Sequence, residues 1–165
     1  MVTADEKLAA LGISLPTPAA PVANYVPFAL SPPLLVISGQ LPLGSNSKID
    51  PAHTGKLGLA VSRDAGRDAA RLCAINILAQ AKAALGDLEC IKRCLRLGGF
   101  INATPDFADL AAVMNGASDL IVEVLGERGR HARSTVGVAA LPLNCAVEVE
   151  AIFETAASIF QVNAI

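Results

Sequence analysis

Residues 64–85 read DAGRDAARLCAINILAQAKAAL. Within them Ala70, Cys73, Ala74, Ile77, Leu78, Ala81 and Leu85 recur at three- and four-residue steps, the period of one face of an α-helix. Gly86 stands where such a helix stops. A helix with one long apolar face must bury it, and the flanking sequence offers a sheet. Downstream, Ile91 to Asn102 reads as a strand, Thr104-Pro105-Asp106 as a turn, and Phe107 or Ala108 to Leu125 as a second long helix ending at Gly126. A basic, glycine-containing loop follows. Ser134 to Leu141 and Ala146 to Phe153 are β-rich, and Pro142-Leu143-Asn144-Cys145 between them predicts a hairpin.

Upstream, Tyr25 to Leu30 and Leu34 to Gln40 are β-type runs separated by Ser31-Pro32-Pro33. Leu41 to Gly55 is rich in turn residues, and Lys56 to Val61 is expected to add a short strand. Thr3 and Glu6 have capping-box spacing before a short helix ending near Gly12, and Pro16, Pro18 and Pro21 then interrupt regular structure. The expected order is β-β-(β)-α-β-α-β-β. This is an α+β fold with two long helices on one side of a mixed sheet. Residues 1–21 read as an N-terminal helix and proline-rich lead-in, and residues 22–165 as a single domain.

The chain has 165 residues, 53% apolar and 17% charged, enough for one domain with a substantial core. Mean hydropathy is +0.50, yet no stretch approaches the ~20 apolar residues of a spanning helix. So little charge on so small a domain leaves apolar surface uncovered, and oligomerisation is the expected outlet. A net charge of −2, no Trp and one Tyr argue against a nucleic-acid surface. The N-terminus lacks the basic start and apolar run of a secretory signal, so a cytoplasmic location is expected. Cys73, Cys90, Cys94 and Cys145 sit in apolar segments, as reduced core thiols do, and no second ligand pair accompanies the Cys90/Cys94 spacing. No metal site is expected.

Charges in the last two strands are the candidates for function. With a hairpin turn centred near Leu143, Arg133 falls opposite about residue 153 and Glu148 opposite about residue 138, which separates them by roughly 15 Å along the sheet. They cannot form a cross-strand pair. Glu148 alternates with Val147 and Val149, so its carboxylate points away from those valines and shares a face with Glu150 and Ile152. Two acidic groups on one side of an apolar strand need compensation, which a neighbouring subunit could supply. Ser38-Gly39-Gln40 ends an apolar strand, and Gly39 allows close approach to the backbone. Tyr25 is the sole tyrosine. Arg128, Arg130, His131 and Arg133 place four basic groups within six positions, and His131 is compatible with a loop near a subunit contact. His53 has no evident partner and reads as solvated.

Taken together these residues resemble the reactive intermediate deaminase family, RidA, also called the YjgF or endoribonuclease L-PSP family. The resemblance covers about residues 22–155: Tyr25, Ser38-Gly39-Gln40, Asn115, Ala132-Arg133-Ser134, Leu141-Pro142 and Val147-Glu148-Val149-Glu150. It implies a chorismate-mutase-like α+β fold, assembled as a homotrimer with ligand sites between subunits. It implies that Arg133 binds a substrate carboxylate and that Glu148 orients or activates water. Tyr25, Ser38 and the Gly39 backbone would complete the pocket, with Asn115 lining it and Thr135 standing where the family often has a cysteine. The implied reaction is cofactor-free hydrolysis of enamine or imine intermediates such as 2-aminoacrylate to a 2-keto acid and ammonia. A trimeric protein that binds small carboxylates without turnover is the alternative, and an RNA-acting loop at residues 128–133 is a weaker one.

Overall fold

The computed structural model describes residues 2–18 and 24–156. Pro21 and Ala23 lie outside them. Five strands, β1 (Phe28–Ser31), β2 (Leu34–Gln40), β3 (Ile91–Asn102), β4 (Ala132–Val138) and β5 (Val147–Thr155), form one sheet in the order β1-β2-β5-β3-β4. Helices α2 (Arg63–Leu85) and α3 (Leu110–Leu125) follow β2 and β3 in the chain, and a short α1 (Ala4–Ala10) precedes the sheet. The mixed α+β architecture expected from the sequence is the one observed.

Helix α2 starts at Arg63 because the Ser62 side chain accepts a hydrogen bond from the Ala65 amide at 3.1 Å, and it stops at Gly86, whose φ is 78°. Its apolar stripe packs on β2 and β5 and against α3. At the helix crossing Gly116 lies so close to the Arg67 backbone that a Cβ there would sit 2.8 Å from the Arg67 carbonyl carbon. Outside this seam, Arg67 pairs with Asp119 at 2.7 Å and Arg71 with Glu123 at 3.1 Å. The α1 capping box is formed as expected, and α1 buries Ala4 and Leu8 while the Ala4 amide donates to Glu89 at 2.8 Å.

Three expectations change. Lys56 to Val61 is a turn, because the Lys56 carbonyl accepts from the amides of Leu59, Ala60 and Val61 at 3.2, 3.0 and 3.0 Å. Helix α3 begins at Leu110, since the Phe107 amide closes a turn onto the Thr104 carbonyl. Most important, β4 and β5 are not a hairpin: β3 lies between them, parallel to β4 and antiparallel to β5. Their connection crosses the end of β3, where the buried Asn102 side chain donates to the Asn144 side chain and the Cys145 carbonyl, both at 3.2 Å. Lys56 bridges from Asn102 to the Ala139 carbonyl at 2.7 and 2.6 Å. Leu143 and Asn144 take φ of 55° and 53°, so the linker reverses there without pairing its strands.

The two sheet faces differ. Leu35, Ile37, Leu97, Val149, Ala151 and Phe153 are buried in the core with the helix residues. On the other face Leu34, Val36 and Val136 keep 37%, 40% and 47% of their surface exposed. Among the described residues no helix is long and apolar enough to cross a membrane.

Candidate functional site

Register decides which candidates can meet. Directly paired residues share a face, and Leu97 pairs with both Arg133 and Ala151. Leu97 and Ala151 are buried under the helices, so Arg133 belongs to the helix side of the β4 edge. Phe100, three positions on, pairs with Val136 and Glu148, which puts Glu148 on the open face. The two lie about 10 Å apart along the strands and about 10 Å across two strand spacings, and they point to opposite sides. The hairpin premise fails, yet its consequence stands for a different reason: Arg133 and Glu148 cannot share a small ligand within one chain.

The candidates therefore fall into two half-sites. At the β4 edge, Arg133 Nη1 donates to Asn115 Oδ1 at 2.9 Å and to Ser118 Oγ at 3.1 Å, both on α3. With Nη1 held, Nε and Nη2 make no bond to a described residue. They are the parallel pair of donors that suits a carboxylate. Ser118 Oγ also lies 3.0 Å from His131 Nε2, and His131 Nδ1 lies 2.6 Å from the Gly129 carbonyl. Burial, and then the Arg133 charge, hold the His131 pKa below its usual value. Thr135 follows on the same face as Arg133, and its Oγ1 is buried without a hydrogen-bond partner among the described residues.

The second half-site is on the open face, where β2 meets β5. The register slips between Ile37 and Gln40, a bulge in which Ser38 and Gly39 together face the single residue Glu150 of β5. The Glu148 carboxyl lies against Gly39: a Cβ there would come within 2.9 Å of Glu148 Cδ, so any larger residue would displace the acid. Ser38 Oγ donates to the Val26 carbonyl at 2.7 Å, tying the bulge to the segment that carries Tyr25, itself 54% exposed. Glu148 has no hydrogen bond or ion pair among the described residues. Burial first, and then the Glu150 charge, raise its pKa above the usual carboxylate range.

Glu150 differs, since Arg96 of the same chain pairs with it at 2.9 Å. The expected need for outside compensation therefore narrows to Glu148. Alternation along β3 would have revealed Arg96, because it faces the same side as Phe100. The basic loop is largely neutralised: Arg128 is held by Glu89 at 3.0 Å and Arg130 by Glu127 at 2.9 Å. His53 is half-buried, not solvated, with Nδ1 enclosed and without a hydrogen-bond partner among the described residues. Ser118 escaped the sequence reading, as nothing local distinguishes it from other polar helix residues. Cys94 and Cys145 are pushed up to about 12, each mainly by burial, which keeps these thiols protonated and unreactive. Among the described residues no cluster of three or more His, Cys, Asp or Glu could hold a metal ion.

The family model described as "YjgF/chorismate_mutase-like, putative endoribonuclease" matches residues 5–155. Protein TCP17 of Trypanosoma cruzi is 48% identical over 145 residues, covering 87% of this chain and 89% of its own. The crystal structure of Atu1372 from Agrobacterium tumefaciens superposes with a TM-score of 0.86 at 51% identity, covering 93% of this chain and 92% of that one. A protein of Shewanella oneidensis described as a putative endoribonuclease gives a TM-score of 0.88 at 36% identity, with 92% and 99% coverage.

Proposed function

The chain belongs to the YjgF/chorismate-mutase-like family, and from that premise we propose that it hydrolyses small enamine or imine intermediates bearing a carboxylate, at sites completed between the subunits of a homotrimer. The observation that carries this reading is the opposed placement of Arg133 and Glu148 on the two sides of one sheet. A ligand gripped by one and processed by the other needs both from different protomers. The uncovered apolar face, with Val36 and Val136 exposed on the same side of the sheet as Glu148, supports such an assembly.

In this reading the free Nε and Nη2 edge of Arg133 takes the substrate carboxylate through two parallel hydrogen bonds and fixes the adjacent C=N carbon. Asn115 and Ser118 keep the guanidinium in that orientation. Glu148 of a neighbouring protomer accepts a proton from water as the water oxygen bonds to the imine carbon. With the imine nitrogen protonated from solvent, the resulting carbinolamine takes the proton held by Glu148 onto nitrogen, the C–N bond breaks to release ammonia, and the proton of the remaining hydroxyl passes through Glu148 back to solvent, leaving the 2-keto acid. Imine plus water gives keto acid plus ammonia, with no change of oxidation state. A carboxyl whose pKa is raised by burial is a stronger base than an exposed one, which suits Glu148 to this step. Tyr25, Ser38 and the Gly39 backbone would wall the Glu148 side, and the unpartnered Thr135 hydroxyl the Arg133 side.

The test is release of ammonia and pyruvate from freshly generated 2-aminoacrylate by the purified protein and by Arg133→Ala. Loss of most activity in the variant is expected, and equal rates would remove the assignment. Calorimetry with pyruvate or 2-ketobutyrate separates turnover from binding alone. For the RNA reading, the neutralised Arg128 and Arg130 and the net charge of −2 weigh against it.

A further inference from the structure

We infer that His131 and Ser118 act as a positioning relay that aims the Arg133 guanidinium, and that the relay works only while His131 is neutral. This deepens the proposed function, since it rests on Arg133 being the carboxylate-binding group.

The direction of each hydrogen bond follows from which atoms can donate. A carbonyl only accepts, so the 2.6 Å contact with Gly129 requires the proton on His131 Nδ1. In the neutral ring Nε2 is then an acceptor, and the 3.0 Å contact must be the Ser118 hydroxyl donating to it. That leaves the lone pairs of Ser118 Oγ toward Arg133 Nη1, 3.1 Å away. The chain of donors runs from Arg133 to Ser118 to His131 to the Gly129 carbonyl, and each group has one possible polarity. Asn115 Oδ1, at 2.9 Å, takes the other Nη1 proton. Two fixed acceptors on one nitrogen set the plane of the guanidinium, and with it the direction of the free Nε and Nη2 edge.

Protonation of His131 breaks this order. Nε2 would become a donor, so the imidazolium and the guanidinium would both aim protons at Ser118 Oγ, two cations converging on one oxygen. The charged groups around the ring do not offset this. Arg133, on the following strand, is itself cationic. Arg130 and Arg128 of the preceding turn are engaged by Glu127 and Glu89, and Asp119, next to Ser118 on α3, is engaged by Arg67. On β3, Arg96 is engaged by Glu150 on the far face. Among the described residues no carboxylate is bonded to the imidazole to stabilise its charge.

The experiment has two arms. In the first, nitrogen-15 spectra of the full chain follow the imidazoles; there are two histidines, and the His131→Gln variant identifies which is which. The expected result is an Nδ1–H tautomer for His131 and a pKa below 6.5 that rises in Arg133→Ala. An Nε2–H tautomer, or a pKa indifferent to Arg133, overturns the relay. In the second, affinity for pyruvate and KM for 2-aminoacrylate are measured from pH 5 to 8. His131→Ala is expected to weaken binding about tenfold at neutral pH with kcat little changed, as loss of one orienting hydrogen bond to a charged group would. The Gln amide can donate to Gly129 and accept from Ser118, so His131→Gln is expected to restore most of that binding and to abolish its decline at acid pH. Wild-type affinity unchanged across that range, or Ala and Gln variants indistinguishable from it, overturns the inference. If the wild type neither binds pyruvate nor turns over 2-aminoacrylate at any pH, the proposed function falls, and the spectral arm still decides the relay.

Discussion

One face of the sheet and the other are built from the same strands, yet they do opposite things. Under α2 and α3, Leu97, Val149, Ala151 and Phe153 are closed off from solvent. On the reverse, Val36 and Val136 stay open on the face that carries Glu148, Glu150 and Arg96. The covered face is a finished core. Among the described residues the open face has apolar surface without a cover and, at Glu148, a carboxylate without a cation, and in the proposed assembly another copy docking there would meet both deficits. The core lies on one side of these strands, Glu148 lies on the other, and Arg133 stands at the β4 edge on the helix side.

The largest effect separates the faces by what fails. Phe153→Ala is expected to cost about 3–5 kcal/mol of unfolding free energy, since the side chain is fully buried and leaves a cavity. Val136→Lys should leave the fold intact and lower the association state instead. Denaturant unfolding and sedimentation, run on both variants, would break the comparison if Val136→Lys unfolded the chain or left its assembly unchanged.

A smaller effect concerns the contact that seats the acid. Gly39→Ala introduces a carbon within 2.9 Å of Glu148 Cδ, and a flexible carboxyl can swing aside with little loss of stability. Displacing a catalytic group by about 1 Å can cost up to ~100-fold, so kcat should fall while the melting temperature holds. Unchanged kcat would mean that Glu148 is not used where it rests.

The smallest effect is electrostatic. The folded chain raises the Glu148 pKa above the ordinary 4.5, so its charged form is disfavoured relative to the unfolded chain. That penalty is present above the raised pKa and disappears as pH falls toward 4.5. Glu148→Gln should therefore be more stable than its parent at pH 7, with the gap closing in acid. Measured in the Val136→Lys background, where a neighbour's groups are absent, a gap of the opposite sign would show that the fold favours the charge.

Much of this was legible in the sequence where the signal is local. The apolar steps from Ala70 to Leu85, the Thr3/Glu6 box and the alternation that turns Glu148 away from Val147 and Val149 each depend on residues a few positions apart. The failures are long-range. Pro142-Leu143-Asn144-Cys145 has the composition of a hairpin turn, and nothing within it says that β3 will lie between the strands it joins. Asn102, 42 residues before Asn144, holds the linker across the end of β3, a contact no local pattern announces. Arg96 beside Glu150, and Ser118 between His131 and Arg133, are likewise products of strand and helix placement. Segment identity is carried by neighbours along the chain, whereas partnership depends on packing.

The most direct measurement is subunit complementation. Arg133→Ala and Glu148→Gln, each expected to be inactive alone, are unfolded, mixed in equal amounts and refolded together, with mixed assemblies verified by mass spectrometry. If every site takes its arginine from one protomer and its carboxylate from the next, random mixing restores about a quarter of wild-type activity per site. If mixed assemblies form and no activity returns, both groups act from the same chain, and the account of a divided site is wrong.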